Sequence, residues 1–236
     1  MSGRFHIIVP AAGSGTRMAA SLGKAPGQPK QYLPLAGKAI LERTLAKLLA
    51  LKPDNLCLVV SKDDDHWQTL PSTKHCTVTR GGLTRMDSVL AGLRALQLND
   101  SEIVLVHDGV RPLIATEDVE RLFTVAQQAP AGALLATPVV DTLKHSEQGG
   151  TVDRTENRHH YWLAQTPQAF SAGLLRQALE QAAALGTEVT DEASAVEALG
   201  LSPSIVTGSK SNIKITTAED LQLAEFLFNK GQATCG

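Results

Sequence analysis

Short β-branched runs that end in small or polar residues, with stretches of helical spacing between them, constrain this chain more than any other feature. Phe5-His6-Ile7-Ile8-Val9 is the first such run, and it empties into Pro10-Ala11-Ala12-Gly13-Ser14-Gly15. An apolar run of this length with a glycine turn after it reads as a buried strand feeding a loop. From Ala39 to Leu51 the apolar residues Ile40, Leu41, Leu45, Leu48 and Leu49 recur at helical spacing up to Pro53, and Leu56 to Val60 is a second buried strand. Met86, Val89, Leu90, Leu93 and Leu96 mark the next helix, followed by the strand Ile103 to Val106, which runs into His107-Asp108-Gly109. Thr116 is expected to cap a helix with Glu117 and Asp118 in its first turn and Val119, Leu122, Phe123 and Ala126 on its core face, ahead of a fourth strand, Ala133 to Ala136. Alternating βα units predict an α/β fold: a mostly parallel sheet with helices on both faces, whose ligands bind beyond the carboxyl ends of the strands.

The pattern breaks between Val139 and Arg154. Two polar-alternating segments flank Glu147-Gln148-Gly149-Gly150, which predicts a solvated hairpin with a glycine turn. Helices from about Ala172 to Leu185 and from Asp191 to Leu199 follow, then strands at Ser204 to Thr207 and Asn212 to Ile215. A last helix is expected to start at Thr216 with Glu219 completing a capping box, and to bury Leu221, Ala224, Leu227 and Phe228. Without internal repeat or linker, the 236 residues, 43% of them apolar, are expected to form one domain, 1–236. A net charge of -2 with both signs interspersed gives no electrostatic footprint for nucleic acid or an anionic membrane. Cys57, Cys76 and Cys235 fit neither a disulfide framework nor a zinc pattern. With no apolar run near the roughly 20 residues of a membrane span and no signal-peptide anatomy, a cytoplasmic protein is expected.

Candidate chemistry lies in the loops at the strand ends. In Pro10 to Met18 the small residues let backbone N–H groups approach phosphate oxygens, and Arg17 adds a full charge. It is neither a dinucleotide fingerprint, since Met18 stands where the third glycine belongs, nor a Walker loop. Taken alone, it could equally be a tight strand-to-helix turn. Lys30 in Pro29-Lys30-Gln31-Tyr32 could place a point charge on a transferring phosphoryl group, although a single lysine is more often a surface residue. Gly81 to Ser88 and His107 to Pro112 each mix Gly, Arg and Asp, and each by itself reads more readily as a turn and helix cap. His107 alone reads better as hydrogen-bonded structure than as an acid–base group. Trp67, Tyr161 and Trp162 read as packing aromatics, not a stacking platform for bases.

Taken in order, these segments are joined by Asp141-Thr142-Leu143-Lys144, Thr190-Asp191-Glu192-Ala193-Ser194 and Asn212-Ile213-Lys214. The set resembles the 2-C-methyl-D-erythritol 4-phosphate cytidylyltransferases over about Ile7 to Phe226. That resemblance implies a Rossmann-like nucleotidyltransferase fold with a protruding β-arm, here 139–160, exchanged between the subunits of a homodimer. It implies CTP as substrate, a divalent cation such as Mg²⁺, and Arg17, Lys30, Arg154 and Lys214 as the catalytic cations. Ala11, Ala12, Gly13, Gly15, Gly82, Arg85, Ser88 and Asp108 would hold the nucleotide, with Asp108 also the metal contact. Asp108, Arg111, Thr142, Arg154, Thr190 and Lys214 would hold the polyol phosphate, Thr142 and Arg154 coming from the neighbouring subunit. The chain departs from the family pattern in a longer stretch between Arg17 and Lys30, which contains Lys24, and in Leu83 and Gly109-Val110. Two alternatives stand beside this reading: a cytidylyltransferase for ribitol 5-phosphate or another polyol phosphate, and a nucleotide-binding module without catalysis.

Overall fold

The structure is a computed structural model and describes residues 3–13 and 29–233. Arg17, Gly15 and Lys24 therefore lie outside the described residues. The strands are β1 (Phe5–Pro10), β2 (Pro34–Leu35), β3 (Lys38–Ala39), β4 (Asn55–Val60), β5 (Thr77–Arg80), β6 (Ile103–Val106), β7 (Ala133–Pro138), β8 (Lys144–His145), β9 (Arg154–Thr155), β10 (Trp162–Ser171) and β11 (Ser204–Thr207). The helices are α1 (Ile40–Leu49), α2 (Arg85–Leu96), α3 (Thr116–Gln128), α4 (Ala172–Leu185), α5 (Glu192–Glu197) and α6 (Ala218–Ala233). Seven strands form one sheet in the order β11-β7-β10-β6-β1-β4-β5. Only β10 is reversed, antiparallel to both β6 and β7; the remaining pairs are parallel.

The uninterrupted apolar runs exist because both faces of the sheet are covered. Ile7, Val9, Leu56, Leu58 and Leu105 point to one face, against Leu41, Leu45 and Leu48 of α1 and Val119, Leu122 and Phe123 of α3. Ile8, Cys57, Val59, Val104 and Val106 point to the other, against α2, α4 and α5. Each such side chain, taken fully out of water, contributes about 1.5–3 kcal/mol before the entropy of ordering is set against it. Gly92 lets α2 lie close to the sheet: a Cβ there would come within 2.7 Å of Ile8 Cγ2.

Four expectations are revised. Thr116 does not cap its helix; it is the first residue of α3, and Ala115 holds the cap position without a side-chain bond. The last capping box is shifted by one residue: Thr217 Oγ1 accepts from the Asp220 amide, and the Asp220 carboxylate accepts from the amides of Thr216 and Thr217. Asp220 wins over Glu219 because its shorter side chain closes back on the preceding turn. That helix buries Ala224 fully, whereas Leu221, Leu227 and Phe228 are half-buried, Phe228 lying under the Arg43 guanidinium. Asn212 to Ile215 is not a strand; its tie to the fold includes Ile215 N–H donating to Val110 O, while Asn212 and Ile215 are buried.

The hairpin is present. β8 pairs with β9 through Lys144↔Thr155 and His145↔Arg154, and Gly149 and Gly150 take positive φ at the turn, as that geometry demands. Val140, Val152, Tyr161, Trp162 and Leu163 around it are exposed.

Candidate active site

A cavity of about 300 Å³ opens at the carboxyl ends of β1, β5 and β6. It is lined by Pro10 to Gly13, Lys30 and Gln31, Gly82 to Arg85 with Ser88, Asp108 to Val110, and Lys214. Five stretches far apart in sequence therefore meet where a parallel sheet places its ligand.

Local hydrogen bonds hold the first two segments together. Ala11 N–H extends the β1–β4 pairing by donating to Val59 O, and Ala11 O accepts from the buried Gln31 side chain at 2.9 Å. Lys30, Gln31 and Tyr32 form a single 3-10 turn. Tyr32 donates at 2.7 Å to Asp64, whose carbonyl accepts from Arg80, the residue before the Gly81-Gly82 pair. Burial, and then the hydrogen bond to Asp64, raise the Tyr32 phenol far above its usual range, so it stays a donor. Gln31 and Tyr32 thus tie the lysine turn to both glycine-bearing loops. In the sequence they are marked only as neighbours of Lys30.

Gly82 must be glycine for a packing reason: a Cβ would sit 2.4 Å from Asp87 Cβ in the first turn of α2. That turn is closed by a capping box between Thr84 and Asp87. The amino end of α2 reaches the cavity with its partial positive charge, and Ser88 is buried with its hydroxyl donating to Thr84 O.

The other wall is a buried charge cluster. Asp108 Oδ1 accepts from Arg85 Nη1 at 2.6 Å, while Oδ2 faces Arg111 Nε at 3.2 Å and Lys214 Nζ at 3.0 Å. Burial works against the Asp108 charge, but Arg85, Lys214 and Arg111 together hold its carboxyl well below the usual carboxylate range. Arg85 also grips Glu192, Nε and Nη2 each lying 3.0 Å from a different carboxylate oxygen. Arg111 Nη1 donates to Asn212 O at 2.6 Å, and Asn212 Nδ2 donates to Thr166 O at 2.8 Å. Thr166 Oγ1 accepts from Asp108 N–H, and its hydroxyl donates to His107 Nδ1, which leaves the His107 proton on Nε2, donated to Arg111 O. Burial pushes the imidazole down to about 4, so His107 is a neutral structural bridge.

Of the residues expected in the site, Ala11, Ala12, Gly13, Lys30, Gly82, Arg85, Ser88, Asp108 and Lys214 line the cavity. Arg111 stands one ion pair behind it. Thr142, Arg154 and Thr190 are exposed and do not line it, and Arg154 is paired with Glu156 at 2.7 Å. The residues that were not foreseen are Gln31, Tyr32, Thr166, Gln168 and Glu192, buried polar groups that hold the others in place. Glu192 had a signal, since it lies in the segment Thr190 to Ser194, but an acid in the first turn of a helix has an ordinary explanation in the helix dipole.

Two lysines lining one small cavity, together with a helix amino end and an anchored carboxylate, suit a reaction that moves a phosphoryl group between anions. This is the equipment of a nucleotidyltransferase. The family model for 2-C-methyl-D-erythritol 4-phosphate cytidylyltransferase matches residues 5–230. The enzyme of that name from Ectopseudomonas mendocina is 47% identical over 228 residues, covering 94% of each chain, and that from Stenotrophomonas maltophilia is 44% identical, covering 98% of this chain and 99% of its own. The crystal structure of the Francisella tularensis enzyme superposes with a TM-score of 0.79 at 32% identity, over 95% of this chain and 99% of that one. The chain belongs to the 2-C-methyl-D-erythritol 4-phosphate cytidylyltransferase family and is a cytidylyltransferase.

Proposed function

We propose that the cavity performs the family's reaction with the nucleotide on the Ala11–Gly13 and Gly82–Ser88 side and the polyol phosphate beside Asp108, Arg111 and Lys214. A phosphate oxygen of methylerythritol 4-phosphate attacks the α-phosphorus of CTP; the bond to the β-phosphate breaks, and pyrophosphate leaves. The acceptor phosphate, with a second pKa of about 6, is already largely dianionic at neutral pH and needs no general base. This agrees with a cavity in which the nearest histidine is locked as a neutral bridge. The difficulty is bringing two anions together, and fixed cations meet it. Lys30 and Arg17 serve the α-phosphate and the departing pyrophosphate, and Lys214 receives the acceptor. The observation that carries this reading is the convergence of Lys30 and Lys214 on one cavity whose lining includes Asp108, buried between Arg85 and Arg111.

Asp108 is the one acidic side chain among the described residues lining the cavity. Mg²⁺ takes one or two carboxylates and completes its shell with phosphate oxygens and water, so a single carboxylate fits it in the presence of a triphosphate. Held there, the ion would supply neutralisation of the phosphate charge. Asp108 Oδ2 would exchange Lys214, whose side chain is 40% exposed, for the ion and leave the lysine to the acceptor.

Thr142 and Arg154 are read as serving the neighbouring subunit of a homodimer. They stand on an exposed hairpin and do not line their own cavity, and Val140 and Val152 on it, with Tyr161, Trp162 and Leu163 just after it, offer apolar surface for a partner. Among the described residues no helix is long and apolar enough to cross a membrane. The free thiols of Cys57 and Cys76, the first fully buried, suit the reducing cytoplasm in which we place the enzyme.

The test is pyrophosphate release with CTP and Mg²⁺, comparing methylerythritol 4-phosphate with ribitol 5-phosphate and using ATP, GTP and UTP as nucleotide controls. Preference for CTP with methylerythritol phosphate is expected. Preference for ribitol phosphate would overturn the acceptor assignment, and CTP binding without turnover would overturn the catalytic reading.

A further inference from the structure

Arg85 lines the cavity, yet each of its three guanidinium nitrogens is already engaged by a carboxylate. Nε and Nη2 lie on the two oxygens of Glu192 at 3.0 Å each, and Nη1 lies on Asp108 Oδ1 at 2.6 Å. A guanidinium is a planar fork whose donors move together, so two parallel bonds to one carboxylate decide where the third nitrogen points. The carboxylate that decides it is 2% exposed. Its backbone is fixed in turn: Asp191 and Ser194 close a capping box around it, and the buried Gln168 of β10 donates to Asp191 Oδ2 at 2.8 Å and accepts from Ala193 N–H at 2.8 Å. The helix dipole would account for an acid at this position, but not for its burial or for a two-point grip on a cavity residue 107 positions away in the sequence.

We infer that Glu192 is a positioning residue, which keeps Arg85 turned to Asp108 and away from the nucleotide phosphates and thereby fixes Asp108, Arg111 and Lys214 for the acceptor. The inference rests on the reading that the Asp108 side takes the polyol phosphate. Glu192 offsets the Arg85 charge, so the phosphates meet Lys30 and not a second, misdirected cation. With Arg85 held on Oδ1, Asp108 presents Oδ2 to Arg111 and Lys214. Released from Glu192, Arg85 would keep a single carboxylate partner and turn two nitrogens toward the cavity it already lines.

The experiment is steady-state kinetics of the full chain carrying Glu192→Gln, which keeps the shape and removes the charge. The KM for the polyol phosphate should rise and kcat fall, together lowering kcat/KM by about 100-fold, the scale of a small misplacement of reacting groups. Inhibition by inorganic pyrophosphate should tighten by about 3- to 10-fold, because a freed guanidinium is a strong phosphate partner. Arg85→Gln should show the first effect without the second, and the double variant should be no worse than Arg85→Gln alone, because Glu192 acts through Arg85. Equal weakening toward both substrates with weaker pyrophosphate inhibition, or additive losses in the double variant, would overturn the inference. If Glu192→Gln does not fold, Arg85→Lys decides the matter: it keeps the charge at a partly exposed position but cannot bridge two carboxylates, and a wild-type KM for the polyol phosphate would sink the proposal. Failure of the proposed function reads differently. A wild-type enzyme that prefers another polyol phosphate leaves these comparisons intact with that acceptor; one that releases no pyrophosphate leaves pyrophosphate binding by calorimetry, where unchanged affinity in Glu192→Gln would still refute the role given to Glu192.

Discussion

The wall of the cavity around Asp108 and the hairpin at 139–160 carry charge in opposite ways. Around Asp108, two buried carboxylates hold three cations, each oxygen assigned to a named partner. On the hairpin, Arg154 and Glu156 pair in the open, and the strands β8 and β9 are two residues each. Removing a buried carboxylate of the first kind is expensive, because it strands several cations at once; pairs of the second kind are screened by water and contribute little. The wall around Asp108 is therefore built to hold one geometry, while the hairpin rests on two short strands and exposed polar pairs.

The contrast is attacked most directly at Asp108. Asp108→Asn leaves Arg85, Arg111 and Lys214 facing a neutral amide, and should cost about 3–5 kcal/mol of stability in urea unfolding. A cost under about 1 kcal/mol would mean that the three cations relax into solvent and that the cluster is not rigid. Lys30 supplies the complementary case, a cavity lysine on a turn that Gln31 and Tyr32 anchor. Lys30→Ala should lower kcat by about 10²–10³-fold while shifting stability by about 0.5 kcal/mol or less. Retention of most of the activity would remove Lys30 from the chemistry.

The buried wall should also show itself in acid. His107 titrates near 4 in the folded protein, against an ordinary value of 6.5, because burial disfavours its charged form. The unfolded chain therefore binds the extra proton first, and this contribution is full above about pH 6.5, declines as pH falls toward 4, and is constant below that. Its whole span is about 3 kcal/mol. Burial raises the Glu192 carboxyl, which acts in the opposite sense above its ordinary range, so the readout is the difference between wild type and His107→Gln. The glutamine amide can keep the bond to Arg111 O but cannot titrate. Stability measured from pH 7 to 4 should fall more steeply in wild type than in His107→Gln; parallel curves would show that His107 is not held neutral.

The same contrast explains what could be read in the sequence. β1, β4, β6 and β7 were legible as apolar runs because a parallel sheet covered on both faces asks only for hydrophobicity, and their carboxyl ends pointed to Ala11 to Gly13 and to Asp108 at once. β10 was not foreseen, although it lies between β6 and β7. Its stretch Gln165-Thr166-Pro167-Gln168 is polar and contains a proline, which argues against a central strand. Those residues are buried because they serve the site: Thr166 bridges Asp108 and His107, and Gln168 docks α5. The pairing of β10 with β7 slips between Ala164 and Gln168, where the ladder gives way to those bonds. β5 escaped notice as a short edge strand of alternating Thr and Val. Asn212 to Ile215 erred the other way: Ile213 and Ile215 alternate like a strand but pack into the small cluster with Leu35, Ile40 and Val110 without a ladder. Local pattern thus located the scaffold, whereas buried polar residues bonded across long sequence distances had no local pattern to reveal them.

The mildest perturbation falls on the hairpin, and it tests whether the outward apolar surface has a partner. Val152 is 61% exposed in the isolated chain and lies between the Gly149-Gly150 turn and β9. Val152→Asp removes no core contact, so the folded chain should keep its stability to within about 0.5 kcal/mol. If the surface is covered by a second copy, the same substitution buries a carboxylate in an apolar interface, and dilution in sedimentation experiments should dissociate the variant at a higher concentration than the wild type. Turnover should then fall with dissociation and recover as protein concentration rises, because Thr142 and Arg154 would reach a neighbouring cavity only in the assembled form. An enzyme whose assembly and concentration dependence are unchanged by Val152→Asp would confine the interface to other residues. One that is monomeric yet fully active would show that the cavity works without a neighbour's arm.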